Sequence, residues 1–388
     1  ILETARVEEV IGDFITLKKR GANLLGLCPF HGEKTPSFTV SPAKNIYKCF
    51  GCGKAGSPVN FVMDQLTLSY PEALKWLANK YGIEVVEKEQ TTEEKQAQTE
   101  RESMYIVMSY AQRYFSDKMN NTDEGRSVGL GYFKQREITQ NLIEKFGLGY
   151  SLEARKQFTE DAVAAGYQPK YLVSTGMSIL SNNHIEGQTI ESKNLFDRYA
   201  GRVMFPIHDV GGRVVGFGGR ILSNDKKLAK YINSPETEIY NKSKVLYGLW
   251  FAKSAIQKND KCFLVEGYMD VIAMHQAGFE NVVASSGTSL TVEQIKSIHR
   301  YTNNIVVLYD GDEAGQKASA RAIPMLLEEG MSVRLLFFPD NDDPDSYYRK
   351  VSHNKFEEYV NNNTQDFLYY TANKLNEASK GKKKKKAG

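Results

Sequence analysis

Cysteine is scarce in this chain: four residues in 388, three of them between positions 28 and 52. That excludes a disulfide-framed scaffold and, because the three are clustered, points to a local metal site in a reducing, cytoplasmic setting. No apolar run approaches the roughly 18 residues that a membrane-spanning helix requires, and no basic stretch followed by an apolar one opens the chain. A membrane-spanning or visibly secreted protein is therefore not expected. No GxxxxGKS or GxxxxGKT segment occurs, which excludes a P-loop motor from this piece, and no internal repeat is visible. Hydrophobic residues at 41% and charged residues at 25% are ordinary for folded protein and exclude wholesale disorder. The length suggests two or three domains. Because the first residue is Ile and the last stretch is a ragged lysine run, the chain is expected to be a fragment lacking terminal domains.

The net charge of +3 is set by position more than by total, since Lys380 and Lys382 to Lys386 alone outweigh it. That run reads as a solvated tail rather than a nucleic-acid-binding arm. Residues 18 to 54 are different: Lys18, Lys19, Arg20, Lys34, Lys44, Lys48 and Lys54 face the single acid Glu33, a balance suited to a phosphate backbone. Residues 87 to 102, EKEQTTEEKQAQTERE, can bury no face and read as a linker or a solvated helix start. Ahead of them, residues 21–27, 37–40 and 45–49 have the look of short strands, and 58–66 and 70–81 of helices. Behind them, helical spacing over 105–118 and 139–146 gives way from Val203 to glycine-rich strands.

Two ligand pairs, Cys28-Pro-Phe-His31 and Cys49-Phe-Gly-Cys52, each hold two residues between their members. This spacing predicts one structural zinc ion bound by Cys28, His31, Cys49 and Cys52, with Gly51 and Gly53 allowing the tight turn. The bland alternative is a set of buried thiols and a surface histidine. Cys262, alone in an apolar run, reads as a small core residue.

From Lys261 onward, CFLV (262–265), NVVASS (281–286), NIVVLYD (304–310) and VRLLFFP (333–339) alternate with helical stretches, which predicts βαβ units and a parallel sheet. Acidic residues cluster at the strand ends: Glu266 and Asp270, Asp310 and Asp312, Asp343 and Asp345. Carboxylates on one rim repel unless a cation neutralises them, and hard oxygen donors favour Mg²⁺ or Mn²⁺. A single DxD is often only a loop cap; the ordered series is the stronger signal. Between linker and sheet, Arg198, Arg202, Arg220, Lys230, Lys242 and Lys244 are interleaved with Tyr199, Phe217, Tyr231 and Tyr240, a pattern that can hold phosphates and stack bases but also occurs on ordinary surfaces.

These motifs resemble the bacterial DnaG-type replicative primases over nearly the whole chain. CPFHGEKTPSF with CFGCGKAGS is similar to that family's zinc-binding domain, EGYMD with DGDEAG and DPD to its Toprim catalytic fold, and GRVVGFGGR, YINSPET and LYGL to its RNA-polymerase domain. The resemblance implies a multidomain α+β and α/β protein. Its parts are a zinc-ribbon DNA-binding domain (1–86), a linker (87–102) and a mixed α/β N-terminal polymerase subdomain that is basic and binds nucleotide and template (103–257). A Toprim parallel-sheet α/β subdomain (258–346), a C-terminal helical segment (347–379) and a basic tail (380–388) follow. It also implies catalytic roles for Glu266, Asp310 and Asp312. Two or more Mg²⁺ or Mn²⁺ ions would lie on Glu266, Asp270, Asp310, Asp312, Asp343 and Asp345, and nucleotide contacts would come from Arg220, Lys230, Tyr231, Asn233 and Lys242, with Arg198 and Arg202 beside them.

The expected activity is DNA primase, a DNA-directed RNA polymerase that makes short RNA primers from NTPs on single-stranded DNA for chromosomal replication. The zinc module, with Phe30, Phe38, Tyr47 and Phe50, would hold the template. Whether Glu266 is a ligand or an acid–base group stays open. A replicative helicase is the expected partner, through a C-terminal domain absent from this chain. The rival readings are a Toprim nuclease or topoisomerase fragment and a zinc-ribbon adaptor with an inert Toprim fold; no tyrosine has a recognisable nucleophile context.

Overall fold

The computed structural model describes residues 1–372 apart from 3, 67, 69, 84–91, 182–187, 224–227, 288 and 309–312. The chain divides into two units, Ile1–Thr91 and Thr92–Gly388.

In the first unit, runs broken by glycine and proline give short strands: β1 (Lys18–Arg20), β2 (Asn23–Gly26), β3 (Phe38–Ser41), β4 (Ile46–Cys49) and β5 (Ala55–Gly56), antiparallel and in that order. Residues alternate across the sheet as a pleat demands: on β4, Ile46 and Lys48 are exposed while Tyr47 and Cys49 are buried. Helices α1 (Val7–Gly12), α2 (Pro58–Leu66) and α3 (Tyr70–Lys80) complete a core around Phe38, Tyr47 and Phe61. Phe38 stacks on Tyr47 at 5.1 Å, and Phe61 meets Tyr47 edge-on at 5.6 Å. This corrects the expectation that Phe38 and Tyr47 contact template, because both are fully enclosed. Phe30 packs on the same core, so of that set only Phe50, 70% exposed, is free to meet a ligand.

The second unit opens with α4 (Thr92–Asn121), which starts inside the span read as a linker. Its Glu, Gln and Lys residues are good helix formers and need no buried face. Packing begins where Met104, Val107, Met108, Ala111 and Phe115 come round to one side. A π-helical turn (Gly125–Leu130), α5 (Gly131–Gln135) and α6 (Gln140–Phe146) follow. Strands β6 (Gly149–Ser151), β9 (Arg202–His208), β10 (Val214–Ile221) and β11 (Tyr231–Asn233) form an antiparallel sheet ordered β11-β10-β9-β6. Helices α7 (Gln157–Ala164) and α8 (Pro169–Ser174) and the ribbon β7 (Ser178–Leu180) with β8 (Leu195–Asp197) lie between them in sequence.

The parallel sheet has the order β13-β12-β14-β15-β16, from β12 (Cys262–Val265), β13 (Val282–Ala284), β14 (Asn304–Val307) and β15 (Ser332–Leu335). Its helices are α9 (Leu249–Asn259), α10 (Tyr268–Gln276), α11 (Val292–His299) and α12 (Glu313–Glu328), with α13 (Pro344–Lys350) and α14 (His353–Asn363) after it. The expected all-helical segment 347–379 also contains β16 (Gln365–Asp366), which adds an antiparallel edge beside β15; its residues 373–379 lie outside the described residues. Along β12, Phe263 and Val265 face one core while Cys262 and Leu264 face another, so the sheet is covered on both sides. The core under Phe263 and Val306 also takes in Val203, Phe205, Ile207 and Val215, joining the two sheets. Tyr268 makes that junction by stacking on Phe205 at 5.1 Å. A Cβ at Gly218 would lie 2.4 Å from its ring, so the glycine-rich β10 is explained by close packing and not by phosphate binding.

Candidate functional site

In the first unit, Cys28 follows β2 and Cys49 ends β4, so two tight turns face each other. The ligand atoms of Cys28, His31, Cys49 and Cys52 all lie within 4.8 Å of one another. Cys28 Sγ stands 3.8 Å from Cys52 Sγ, and Cys49 Sγ 3.8 Å from His31 Nδ1. Zinc–sulfur bonds of about 2.3 Å at tetrahedral angles separate two sulfurs by about 3.8 Å, so the set fits one zinc ion. The backbone N–H of Phe30 donates to Cys28 Sγ and that of Cys52 to Cys49 Sγ, both at 3.4 Å. On the far side of the imidazole, His31 Nε2 lies 3.2 Å from Glu33 Oε2, an orienting partner that leaves Nδ1 for the metal. Glu33 is held below the usual carboxylate range by the Ser37 hydroxyl, with the Ser37 and Cys28 N–H groups adding to it.

Gly51 is indispensable to this arrangement, because a Cβ there would sit 2.6 Å from His31 Nε2 and 2.8 Å from Ser37 Oγ. Gly51→Ala is expected to weaken zinc retention about tenfold or more, as loss of an outer-shell contact does; competition with a chromogenic chelator measures it.

The second unit has a cavity of about 480 Å³ at the carboxyl edge of the parallel sheet, lined by Glu266, Gly267, Tyr268 and Asp270 after β12, Ser286 and Gly287 after β13, and Asp343 and Asp345 beyond β15. Arg220 lines it from the end of β10, Lys230, Tyr231 and Asn233 line it from β11 and the residue before it, and Arg136 and Arg349 stand beside Asp345. A second cavity of about 980 Å³ shares these four basic residues and extends past Tyr132, Val128 and Leu222. Thus Arg220, Lys230, Tyr231, Asn233, Glu266, Asp270, Asp343 and Asp345 come together as the sequence led one to expect. Asp310 and Asp312 lie outside the described residues.

Several of these groups already have structural partners. Asp270 accepts from the Gly267 N–H at 2.9 Å, closing the first turn of α10. Asp343 caps α13 by accepting from the Ser346 N–H at 2.6 Å. Asn233 donates to the Ser286 carbonyl and accepts from the Tyr268 hydroxyl, both at 2.9 Å, tying β11 to the parallel sheet. Asp345 is ion-paired with Arg136 and lies 3.4 Å from Arg349; burial lifts its carboxyl above the usual range against the pull of both arginines. Burial also pushes the Tyr231 hydroxyl up to about 12. Arg220 lies over the Tyr132 ring at 4.7 Å, and its buried Nε and Nη1 have no hydrogen-bond partner among the described residues. Among those residues the carboxylates do not converge as tightly as the zinc ligands do.

Three expected contacts fall elsewhere. Arg198 donates from Nε to the Gly176 carbonyl at 2.7 Å. Lys242 lines neither cavity; its N–H donates to Glu236 and its carbonyl accepts from Gln294. Arg202 is 6% exposed and its Nη1 spans the carbonyls of Gly219, Ala229 and Lys230, so it props the end of β10 from within. Arg202→Gln is accordingly expected to cost about 2–4 kcal/mol in a denaturant titration, whereas the cavity-facing Arg220→Gln should cost little stability. Sequence reasoning missed Arg136 and Arg349. Arg349 was legible from its i+4 spacing to Asp345, but Arg136 contacts Asp345 across 209 positions and gave no local signal.

Comparison with known proteins agrees with this division. Residues 1–93 match the CHC2 zinc finger, 114–253 the N-terminal domain of the DNA primase catalytic core, and 263–348 a Toprim-like domain. The DNA primase of Clostridium acetobutylicum is 39% identical over 358 residues, covering 92% of this chain and 57% of that protein. The chain therefore spans a little over half the length of such relatives. The crystal structure of the zinc-binding and RNA-polymerase domains of Aquifex aeolicus primase is similar with a TM-score of 0.63 at 31% identity, covering 98% of this chain and 88% of that one. A DnaG primase catalytic domain bound to single-stranded DNA is similar with a TM-score of 0.61 at 33% identity, over 71% of this chain and 83% of that one. No described helix is long and apolar enough to cross a membrane. With all three parts matched in one order along one polypeptide, the chain belongs to the DnaG primase family.

Proposed function

We propose that this chain synthesises short RNA primers from NTPs on single-stranded DNA, as a DNA-directed RNA polymerase working by metal-dependent nucleotidyl transfer. The observation that carries the reading is the Arg220 guanidinium, with two buried nitrogens lacking partners, in a cavity whose other wall is carboxylate. A cation wall opposite an acidic wall is what a triphosphate and its metal ions require. Arg220 and Lys230 hold phosphate oxygens, and Tyr231, fixed by burial, supports the nucleotide. Tyr268 and Asn233 keep the two walls in register.

Glu266, Asp270, Asp310, Asp312, Asp343 and Asp345 would hold two or more Mg²⁺ or Mn²⁺ ions, which supply the positive charge that a primer 3′-hydroxyl needs to displace pyrophosphate at the α-phosphate. Hard oxygen donors fit those ions. Asp345, already paired with Arg136, and Asp343, already capping α13, would have to share themselves between structure and metal.

In the first unit, the face of the sheet opposite the core aligns Lys18 with Leu25, Thr39 and Lys48, and Arg20 with Asn23. With exposed Ile46 and Phe50 beside them, this face suits single-stranded template through phosphate contacts and base stacking. In a relative it is the catalytic domain that is bound to single-stranded DNA, which supports that substrate for the second unit. Contact with a replicative helicase would need a C-terminal domain beyond this chain.

The test is incubation with single-stranded template, labelled NTPs and Mg²⁺. Short RNA products support the reading; cleaved DNA or binding without synthesis overturns it.

A further inference from the structure

Asp345 is the most enclosed of the described carboxylates in the cavity, at 4% exposure, and such a group needs a counter-ion. Two guanidinium groups supply it, and both reach the same oxygen, Oδ2. Arg349 stands one turn along α13 at 3.4 Å. Arg136 arrives from the end of α5 and makes the closer contact. Glu266, Asp270 and Asp343 share the cavity with Arg136, as do Arg220 and Lys230.

Arg136 also belongs to the larger neighbouring cavity. There the Tyr132 ring centroid lies 5.1 Å from the Arg136 guanidinium and 4.7 Å from that of Arg220, so one aromatic ring serves both cations. Arg136 thus touches both Asp345 and the ring it shares with Arg220, whose buried Nε and Nη1 have no hydrogen-bond partner among the described residues.

We infer that Arg136 is a positioning residue that competes with the divalent cation for Asp345: guanidinium and metal are alternative counter-ions of one carboxylate, and metal binding releases Arg136 toward the phosphate-facing cavity. A divalent ion offers twice the charge at a similar distance, which sets the direction of exchange. By reciprocity, whatever the cation gains by displacing Arg136, an anion drawing Arg136 away gives back to the cation. This rests on the acidic rim being a metal site, not on primer synthesis.

The test is Mn²⁺ binding to the full chain, followed by the paramagnetic signal of free Mn²⁺ without nucleotide or DNA. Arg136→Gln should tighten Mn²⁺ about tenfold, Asp345→Asn should weaken it, and Arg136→Gln placed on Asp345→Asn should add nothing. Arg136→Lys, which keeps the charge but loses the planar fork, should tighten it roughly threefold and carries the test should Arg136→Gln not fold. Mn²⁺ should also raise the melting temperature of the arginine variants more than that of the parent protein. Unchanged or weaker binding in the Arg136 variants would overturn the inference. So would a gain that persists on Asp345→Asn, since that is a general field effect and not competition. Exchange without primers would leave this inference standing and remove the proposed function; primers without exchange would do the opposite.

Discussion

Glu266→Gln, and likewise Asp310→Asn, is expected to reduce primer synthesis by about 10³-fold or more while leaving the protein as stable as before or slightly more so. Both substitutions keep the shape and remove one negative charge from a rim where like charges repel. A structural carboxylate would behave in the opposite sense, because its loss would strand a donor and lower the melting temperature. Asp270 is the internal control, since it accepts the Gly267 N–H at 2.9 Å, and its replacement by Ala should cost about 1 kcal/mol as a lost helix cap does. Melting curves and primer yield measured on the same preparations decide the matter: a destabilised Glu266→Gln protein that still extends primers would sink the assignment.

Zinc removal is expected to have the other large effect. Chelation, or Cys49→Ser, should unfold the first unit and leave the second folded. The comparison of magnitudes is simple: a unit of this size has a net stability of roughly 5–14 kcal/mol, whereas structural zinc contributes about 10–16 kcal/mol in small finger domains. The aromatic core around Phe38, Tyr47 and Phe61 includes Cys28 and Cys49, so the metal and the core are lost together. Circular dichroism with limited proteolysis would show cleavage confined to the first unit. Retained protection of residues 1–83 after complete zinc loss would contradict this.

Local signals proved readable where chemistry and chain direction coincide. The zinc ligands of each pair have two residues between them on tight turns, and Glu266 follows β12 directly, so position along the chain was itself a signal. Strands β12 and β13 were legible because burial on both faces leaves unbroken apolar runs such as CFLV and VVA, whereas β15 alternates exposed and buried residues. Strands β6, β7 and β8, each of three residues, are too short for a period to register. Charge type did not reveal which arginines face the cavity. Arg202 and Arg220 lie on neighbouring strands and the pleat turns them to opposite faces: one is spent on three carbonyls, the other lines the cavity. Arg136 could not have been chosen at all, because its value comes from a contact that only the folded chain makes.

The apolar core shared by Phe205 and Val215 on one sheet and Phe263 and Val306 on the other has a mechanical meaning for a polymerase. Jaws bolted through a common block resist gaping, so a shared core of this kind favours a constant spacing between the sheets. On the proposed function, each cycle would then advance the nucleic acid past a fixed frame.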